Sequence, residues 1–506
     1  MVQPETAGAS ARAQRHDPVD VSDSIAPRAS RWAITRGQLF MLLAVFLPAV
    51  ASMLAPVITG DIAYQVQAGR LMFEAGAIVD TDPFTFTVMG EPWVNQQWGA
   101  SIVFAAVFDA GGWAALLLLR ALLIGLTFAL VFVACRAGGA GQVIAALVTL
   151  GSFVVAATNL ALRSQTFGVL CFAAVIAILA WRRRHPWLLW LIPLVMVGWA
   201  NTHGSFFVGW AAIGLAAMED LVARRRLAAV TISVGVLSVL VTLLHPWGVE
   251  MWAYVVELSS NSLIASLVTE WQAPTLQTPT GIFFFASLAV VLGLLLYRGR
   301  VISWLQVLWL AGLALLGLMA VRNSIWWAIG AAPVVAILVD GLVVRGHRLG
   351  VPSLDRARGV GYTAIALAAF ALALVSLPLW KPIDPLYGPQ DVVRYAPRGV
   401  TETLLAEASV DDRLFAEQKW GSWFELAVPG VPVMVDTRIE LFDADIWGDY
   451  LHVIGGRADW ADILDRWGVT LVAISATDEQ LRPFIETDPG WERRFEDREG
   501  VVYRRR

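Results

Sequence analysis

The sequence predicts a polytopic α-helical membrane protein with a small α/β domain at its C-terminal end. Three observations carry that expectation. The chain is 57% hydrophobic and only 15% charged, where soluble proteins carry about 25% charged residues. The missing charge is local, because residues 38–380 are almost wholly apolar while 1–37 and 381–506 are not. Within the apolar part, runs near the roughly 20 residues needed to cross a bilayer recur one after another.

Taken in order, the runs fall at 38–58, 113–135, 141–160, 166–182, 186–201, 205–222, 227–244, 281–297, 301–320, 324–343 and 360–380, so about eleven spans are expected. Residues 97–110 form an aromatic, apolar stretch too short to cross, which reads as an interfacial helix. Residues 1–37 read as a disordered cytoplasmic tail. Ala49-Val50-Ala51 resembles a signal-peptide cleavage site, but the polar leader is too long and the apolar run continues past it. Residues 38–58 are therefore read as the first span.

Arginine placement sets the orientation. Arg12, Arg15, Arg28, Arg31 and Arg36 precede the first span, which puts the N-terminus in the cytoplasm. Alternation then places Arg136, Arg182–Arg184, Arg224–Arg226, Arg298 with Arg300, and Arg345 with Arg348, Arg356 and Arg358 on the same side. The opposite loops lack arginine clusters, and an odd span count leaves 381–506 outside the cell. There the periodicity changes. Arg413–Glu417, Val431–Asp436 and Val469–Ser475 read as strands, Asp445–Val453 and Trp460–Trp467 as helices, and Trp491–Arg505 as a closing strand pair. The near-absence of lysine (Lys381 and Lys419 only) is an association with GC-rich bacterial genomes, so the bacterial inner membrane is the expected location.

Several chemistries are excluded. A net charge of −4 without a basic tract gives no nucleic-acid face. Cys135 and Cys171 both lie in apolar runs, so neither a disulfide framework nor a cysteine metal site is available. There is no phosphate-cradling G-x-x-x-x-G-K-[ST] loop.

Ionisable groups at the edge of a hydrocarbon slab are costly and mark function, and here they gather on the outer side. Asp61 stands where the first span leaves the membrane, where partial desolvation suits a general base. It is equally suited to cap a helix over 62–75. Asp82, ahead of Pro83, is a second carboxylate with a strong turn-forming alternative, and Glu270 a third. Arg163, His203, His245 and Arg322 form a cationic or protonatable group suited to an anionic phosphate. Single arginines at span ends also snorkel, and single histidines are more often structural. Tyr64, Asn95, Gln96 and Trp98 are candidates for the acceptor side or the loop framework. Ligands at zinc spacing are absent, and a divalent ion between Asp61 and Asp82 or Glu270 stays open. Val435-Asp436-Thr437-Arg438 ends a strand and reads either as a site or as a structural Asp436–Arg438 pair, the second weighing more.

As a set, these segments resemble the bacterial GT-C-type membrane glycosyltransferases. The resemblance is carried by Gly60-Asp61, Asp80-Thr81-Asp82-Pro83-Phe84, Pro92-Trp93-Val94-Asn95-Gln96-Gln97-Trp98, Arg163-Ser164-Gln165, Asn201-Thr202-His203-Gly204 and His245-Pro246-Trp247-Gly248. Glu270-Trp271-Gln272, Arg322-Asn323, Trp420-Gly421-Ser422 and Val435-Asp436-Thr437-Arg438 complete it. It implies a polyprenyl-phosphate-linked sugar as donor and a glycan, lipid or protein hydroxyl as acceptor. It also implies Asp61 as the catalytic residue, with Arg163, His203 and Arg322 near the donor phosphate. The chain departs from the group where Arg163-Ser164 replaces Arg-Pro and Gln96-Gln97-Trp98 replaces His-Glu-Trp, which removes a titratable pair. The tandem acidic pair of some branches is also missing beside Asp61. Two rival functions remain: a flippase or transporter of a lipid-linked sugar, and a non-catalytic envelope-assembly scaffold.

Overall fold

The computed structural model describes residues 33–260, 268–346 and 358–506. Most of the expected tail at 1–37, and Arg348 and Arg356, lie outside the described residues. The membrane part contains α1 (Arg36–Leu54), α2 (Thr59–Ala75), α3 (Trp98–Ala137), α4 (Gln142–Ala156), α5 (Gln165–Trp181), α6 (Ile192–Ala200), α7 (Phe207–Val222), α8 (Ala228–Leu240) and α9 (Glu250–Ser260). It continues with α10 (Pro279–Arg298), α11 (Trp304–Met319), α12 (Ser324–Gly346) and α13 (Gly359–Ser376).

Among the described residues seven helices are long and apolar enough to cross a membrane. Four shorter apolar helices, Gln165–Trp181, Pro186–Thr202, Ala228–Leu244 and Trp304–Met319, occupy the other four expected positions. The expected short helix at 97–110 and the span at 113–135 form α3 together, broken at Gly111 and Gly112, where the backbone leaves helical geometry. Gly112 has φ +59°, which glycine adopts without a steric penalty.

The route out of α1 determines where Asp61 stands. Thr35 and Gln38 close the start of α1 as a reciprocal capping box. At its far end the guanidinium of Arg120, buried in the apolar α3, donates to the backbone carbonyls of Ala55 and Pro56. A cation at a helix C-terminus satisfies carbonyls that lack helical partners. The chain then makes a two-residue parallel pairing, Val57 with Val393 and Ile58 with Arg394, and enters α2 at once. The first outer loop is thus tied to the C-terminal region before Asp61 is reached.

In the C-terminal region Leu414–Ala416 pairs parallel with Leu471–Ser475. That strand pairs antiparallel with Gly500–Arg505, which pairs antiparallel with Trp491–Glu496. The expected helices appear at Ala444–Ile454 and Trp460–Arg466, and three more, Arg398–Glu407, Gln418–Ala427 and the single turn Arg482–Ile485, were not anticipated. The expected strand at Val431–Asp436 is corrected. Only Val433 bridges, to Leu414 on one side and to Thr85 of the first outer loop on the other. Because a loop residue stands where a long neighbouring strand would be needed, the ladder stops after one rung.

One apolar core joins the two parts, with Ile62, Val66, Phe104, Trp113, Leu116, Trp423, Phe424 and Val502 all buried in it. Trp113 donates through Nε1 to the Leu386 carbonyl at 2.7 Å. At the arginine-rich end of the bundle, Arg182 pairs with Asp220 at 2.9 Å and Glu219 at 2.7 Å. Thr231 also donates to Asp220. The 17 residues of α5 separate that network from Arg163 by about 25 Å along the helix axis.

Candidate functional site

Asp61 lies in the first turn of α2, which begins at Thr59, with Ile58 in the capping position and no side-chain cap. The expected helix at 62–75 with Asp61 as its cap is therefore corrected: the helix starts at Thr59 and Asp61 lies inside its first turn rather than in the capping position. Its hydrogen-bond partner is Thr437 of the C-terminal region, and its charged neighbours are Arg163, Glu270 and Arg322. Burial raises its pKa above the ordinary 3.8, Arg163 opposes that, and Glu270 adds to it. Gly60 makes the approach of Thr437 close, since a Cβ there would stand 3.3 Å from its methyl group.

Three chain segments bring the other charges in. Arg163, between α4 and α5, donates through Nη1 to Glu270 Oε2 at 2.6 Å. Glu270 sits in a single 3₁₀ turn, Thr269–Trp271. Burial would raise its pKa, but Arg163 outweighs that and holds it below 4.5. Arg322 lies over the ring of Trp271 at 4.6 Å, and the neighbouring backbone N–H of Val321 donates to Gln272 O at 2.9 Å. The buried Arg163 Nε has no protein partner, so one N–H of the fork is uncommitted.

His203 begins the 3₁₀ turn that leads into α7, and its Nδ1 accepts from the Ser205 backbone N–H at 3.2 Å. Ser205 Oγ, itself a partner of Trp199 Nε1 at 3.1 Å, lies 2.8 Å from the same nitrogen. With Nδ1 accepting, the neutral ring carries its proton on Nε2. Burial, with Arg322 and Arg163 nearby, holds the His203 pKa well below 6.5. His245 is pushed down to about 4 by burial, against the raising effect of the Gln96 backbone carbonyl. The expected protonatable group thus divides: the arginines supply the charge and the histidines are neutral.

The Pro92–Trp98 segment is a framework for this cluster. Gln97 Oε1 accepts from Ser164 Oγ at 2.5 Å and also from the Gln65 side chain. Trp98 Nε1 donates to Asn201 Oδ1 at 2.9 Å. Gln96 packs so tightly on Gly204 that a Cβ there would fall 2.4 Å from its Oε1. Asn95 is buried with its Nδ2 unpartnered. Tyr64 lies under the Arg438 guanidinium at 5.6 Å.

Asp82 belongs to a different cluster, which corrects its expectation as a catalytic carboxylate. Its Oδ1 takes Arg438 Nη2 at 2.6 Å, while its Oδ2 takes the backbone N–H and hydroxyl of Thr85 at 2.9 and 2.6 Å. Arg438 also pairs with Asp436, and its guanidinium lies over Phe84 and Trp93. The expected Asp436–Arg438 ion pair is present, and Asp82 is its third member. Buried Glu425 adjoins it, with a pKa raised well above 4.5 by burial and then by Asp436. Among the described residues, no group of three or more His, Cys, Asp or Glu side chains is placed to hold a metal ion. Asp82 and Glu270, the partners considered with Asp61, are each committed to an arginine.

Sequence reasoning missed Thr437, Glu440 and Tyr254. Tyr254 on α9 donates to Glu440 Oε1 at 3.1 Å. Glu440 acts electrostatically on both Tyr64 and Arg322. The Val435–Arg438 motif was visible, but its reach across to Asp61 was not.

No protein-family model and no curated protein matches this sequence. Solved structures do resemble it. The oligosaccharyltransferase of Archaeoglobus fulgidus in its apo form aligns with TM-score 0.53 and 12% identity over 86% of this chain and 69% of its own. The same organism's AglB, in complex with an inhibitory peptide and a dolichol-phosphate, aligns with TM-score 0.53 and 11% identity over 87% and 69%. ArnT from Cupriavidus metallidurans bound to undecaprenyl phosphate aligns with TM-score 0.51 and 14% identity over 92% and 97%. Both neighbours are GT-C-type enzymes. In a mostly helical chain with apolar helices of spanning length, that likeness identifies this protein as a multi-pass membrane protein of the GT-C fold.

Proposed function

We propose that the protein transfers a sugar from a polyprenyl-phosphate donor to an acceptor hydroxyl on the extracytoplasmic face of a bacterial inner membrane. The observation that carries this is Asp61, in the first turn after the first span, with Arg163, Glu270 and Arg322 as its charged neighbours. The GT-C neighbours support the general class, since one is described with undecaprenyl phosphate and another with dolichol-phosphate.

In this proposal Asp61 accepts the proton of the acceptor hydroxyl while that oxygen attacks the anomeric carbon. The bond from the anomeric carbon to the phosphate oxygen breaks, and its electron pair leaves with the polyprenyl phosphate. Arg163 and Arg322 face that charge, and electrostatic stabilisation of this kind acts where charge develops. Neutral His203 contributes an N–H donor rather than a charge. Glu270 restrains Arg163 until the donor phosphate competes for its fork, and so acts as a positioning residue. The acid form of Asp61 is inactive. Its raised pKa therefore places the acid limb of activity above that of an ordinary aspartate.

The test is a gene deletion with complementation by wild type or Asp61→Asn, followed by analysis of envelope glycans and lipid-linked sugars. The proposal expects a missing glycan, accumulated polyprenyl-phosphate sugar, and no rescue by a normally expressed Asp61→Asn protein. Full rescue by Asp61→Asn would contradict it.

A further inference from the structure

Residues Asp436–Leu441 run beside Asp61, with Thr437 next to its carboxylate and Leu441 against Tyr64. Their anchor is buried: Arg438 is 1% exposed and pairs with Asp436 and with Asp82 of the first outer loop. From that anchor Thr437 reaches Asp61 and also Ser422 Oγ, at 2.9 Å from the latter. Glu440, on a 3₁₀ turn at Ile439–Leu441 and only half-buried, meets the Tyr254 hydroxyl. Leu441 packs with Tyr64, Phe84 and Trp93.

Tyr254 is held from the other side. Its helix neighbours Met251 and Val255 stand against Gly204, where a Cβ would lie 3.5 and 3.0 Å from them, next to His203. The Glu440–Tyr254 hydrogen bond thus links the C-terminal region to the helix that packs beside the His203 turn. Tyr64 lies within the electrostatic reach of both Asp61 and Glu440. The site has three carboxylates: Asp61 is the proposed base, Glu270 is paired with Arg163, and Glu440 has neither task.

We infer that Glu440, oriented by Tyr254, binds the acceptor, and that this acceptor presents a hydroxyl-rich carbohydrate end. The inference rests on the glycosyl-transfer reading above. A third carboxylate beside a donor phosphate would repel it, and the two arginines near Asp61 already face that charge. Against an uncharged carbohydrate, the carboxylate and the phenol oxygen, whose proton is already given to Glu440, offer acceptors side by side, which suits the O–H donors of adjacent hydroxyls. Hydrogen bonds to an ionised partner are the stronger kind, so the contact discriminates.

The experiment uses the full-length protein in lipid nanodiscs. The probes are the radiolabelled lipid-linked sugar fraction and the envelope polysaccharide, both extracted from a strain lacking the gene. Wild type, Glu440→Gln and Tyr254→Phe are titrated with polysaccharide at saturating donor, then with donor at saturating polysaccharide. Glu440→Gln should raise the half-saturating polysaccharide concentration about tenfold, the scale of one lost charged hydrogen bond. The half-saturating donor concentration and undecaprenyl phosphate binding should stay unchanged. Tyr254→Phe should shift the same parameter less, and the double variant should fall short of the product of the two effects.

A changed donor parameter, a lowered maximal rate alone, or no change in either titration would overturn the inference. Transfer by the wild type to envelope protein rather than polysaccharide would overturn the carbohydrate assignment and leave the transferase reading standing. No transfer by the wild type to any fraction would remove the transferase reading itself, and this inference with it.

Discussion

Asp61 differs from an ordinary surface aspartate through its neighbours: burial and Glu270 favour its proton, Arg163 and Arg322 its charge. Asp61→Asn keeps the shape and removes the base. Activity should fall by about 10²–10⁴-fold, the usual worth of general-base catalysis, with undecaprenyl phosphate binding retained. Glu270→Gln should cost less, about 10-fold, because it loosens Arg163 without removing the phosphate's charge partner. Initial-rate measurements on purified variants check both. Asp61, Arg163, His203 and Arg322 were legible in the sequence because each is an ionisable group at the end of an apolar run, and Glu270 because it is a lone carboxylate beside Trp271 in an outer loop. Asp82 was legible only as a residue type: its commitment to Arg438 depends on two segments at opposite ends of the chain. Nothing local marks Glu440, which matters through the place the fold carries it to.

At the scale of elements, the join between helix bundle and C-terminal region rests on tight backbone features. Gly388 has φ +67°, and a Cβ there would stand 2.6 Å from Trp113. Gly388→Ala should destabilise the protein by about 1–3 kcal/mol, through backbone strain and displacement of the Trp113 indole. The readout is a lowered Tm, with proteolysis starting in residues 381–397. Glu425 gives a pH test of the same join. Its folded pKa is raised well above 4.5, so the folded form binds its proton more tightly than the unfolded chain. Its contribution to stability is complete below the unfolded pKa and is lost as pH rises toward the folded one. Glu425→Gln, which cannot ionise, should gain in Tm on the wild type as pH rises from about 4.5. An unchanged difference across that range would contradict the assignment. The apolar helices were readable from composition and period. The partial pairing at Val433 was not, because a rung needs a partner and Thr85 is supplied by a distant loop.

The whole molecule is polar at both ends of its bundle, in different ways. One end joins Arg182 to acidic partners and carries the arginine clusters, and the other holds Asp61 under the C-terminal region. The proposal, from the arginine asymmetry, is that the arginine-rich end faces the cytoplasm and the Asp61 end the outside. An impermeant thiol reagent should therefore label Glu74→Cys and Glu479→Cys from outside the cell. It should label Arg226→Cys only after the membrane is opened. All three positions are exposed, and the native Cys135 is buried. Labelling of Arg226→Cys in intact cells would invert the topology and move the site to the cytoplasm.

In the proposed reaction, sugar leaves a lipid phosphate at Asp61. The measurement that tests it most directly is transfer by the purified protein in nanodiscs, with radiolabelled lipid-linked sugar from the deletion strain and that strain's envelope fraction as acceptor. Wild type should move label to the acceptor with matching release of polyprenyl phosphate. Asp61→Asn should bind the same lipid and release none, across a pH range in which the wild-type rate rises through the pKa of Asp61. Equal turnover by Asp61→Asn, or lipid binding without any transfer by the wild type, would contradict the account.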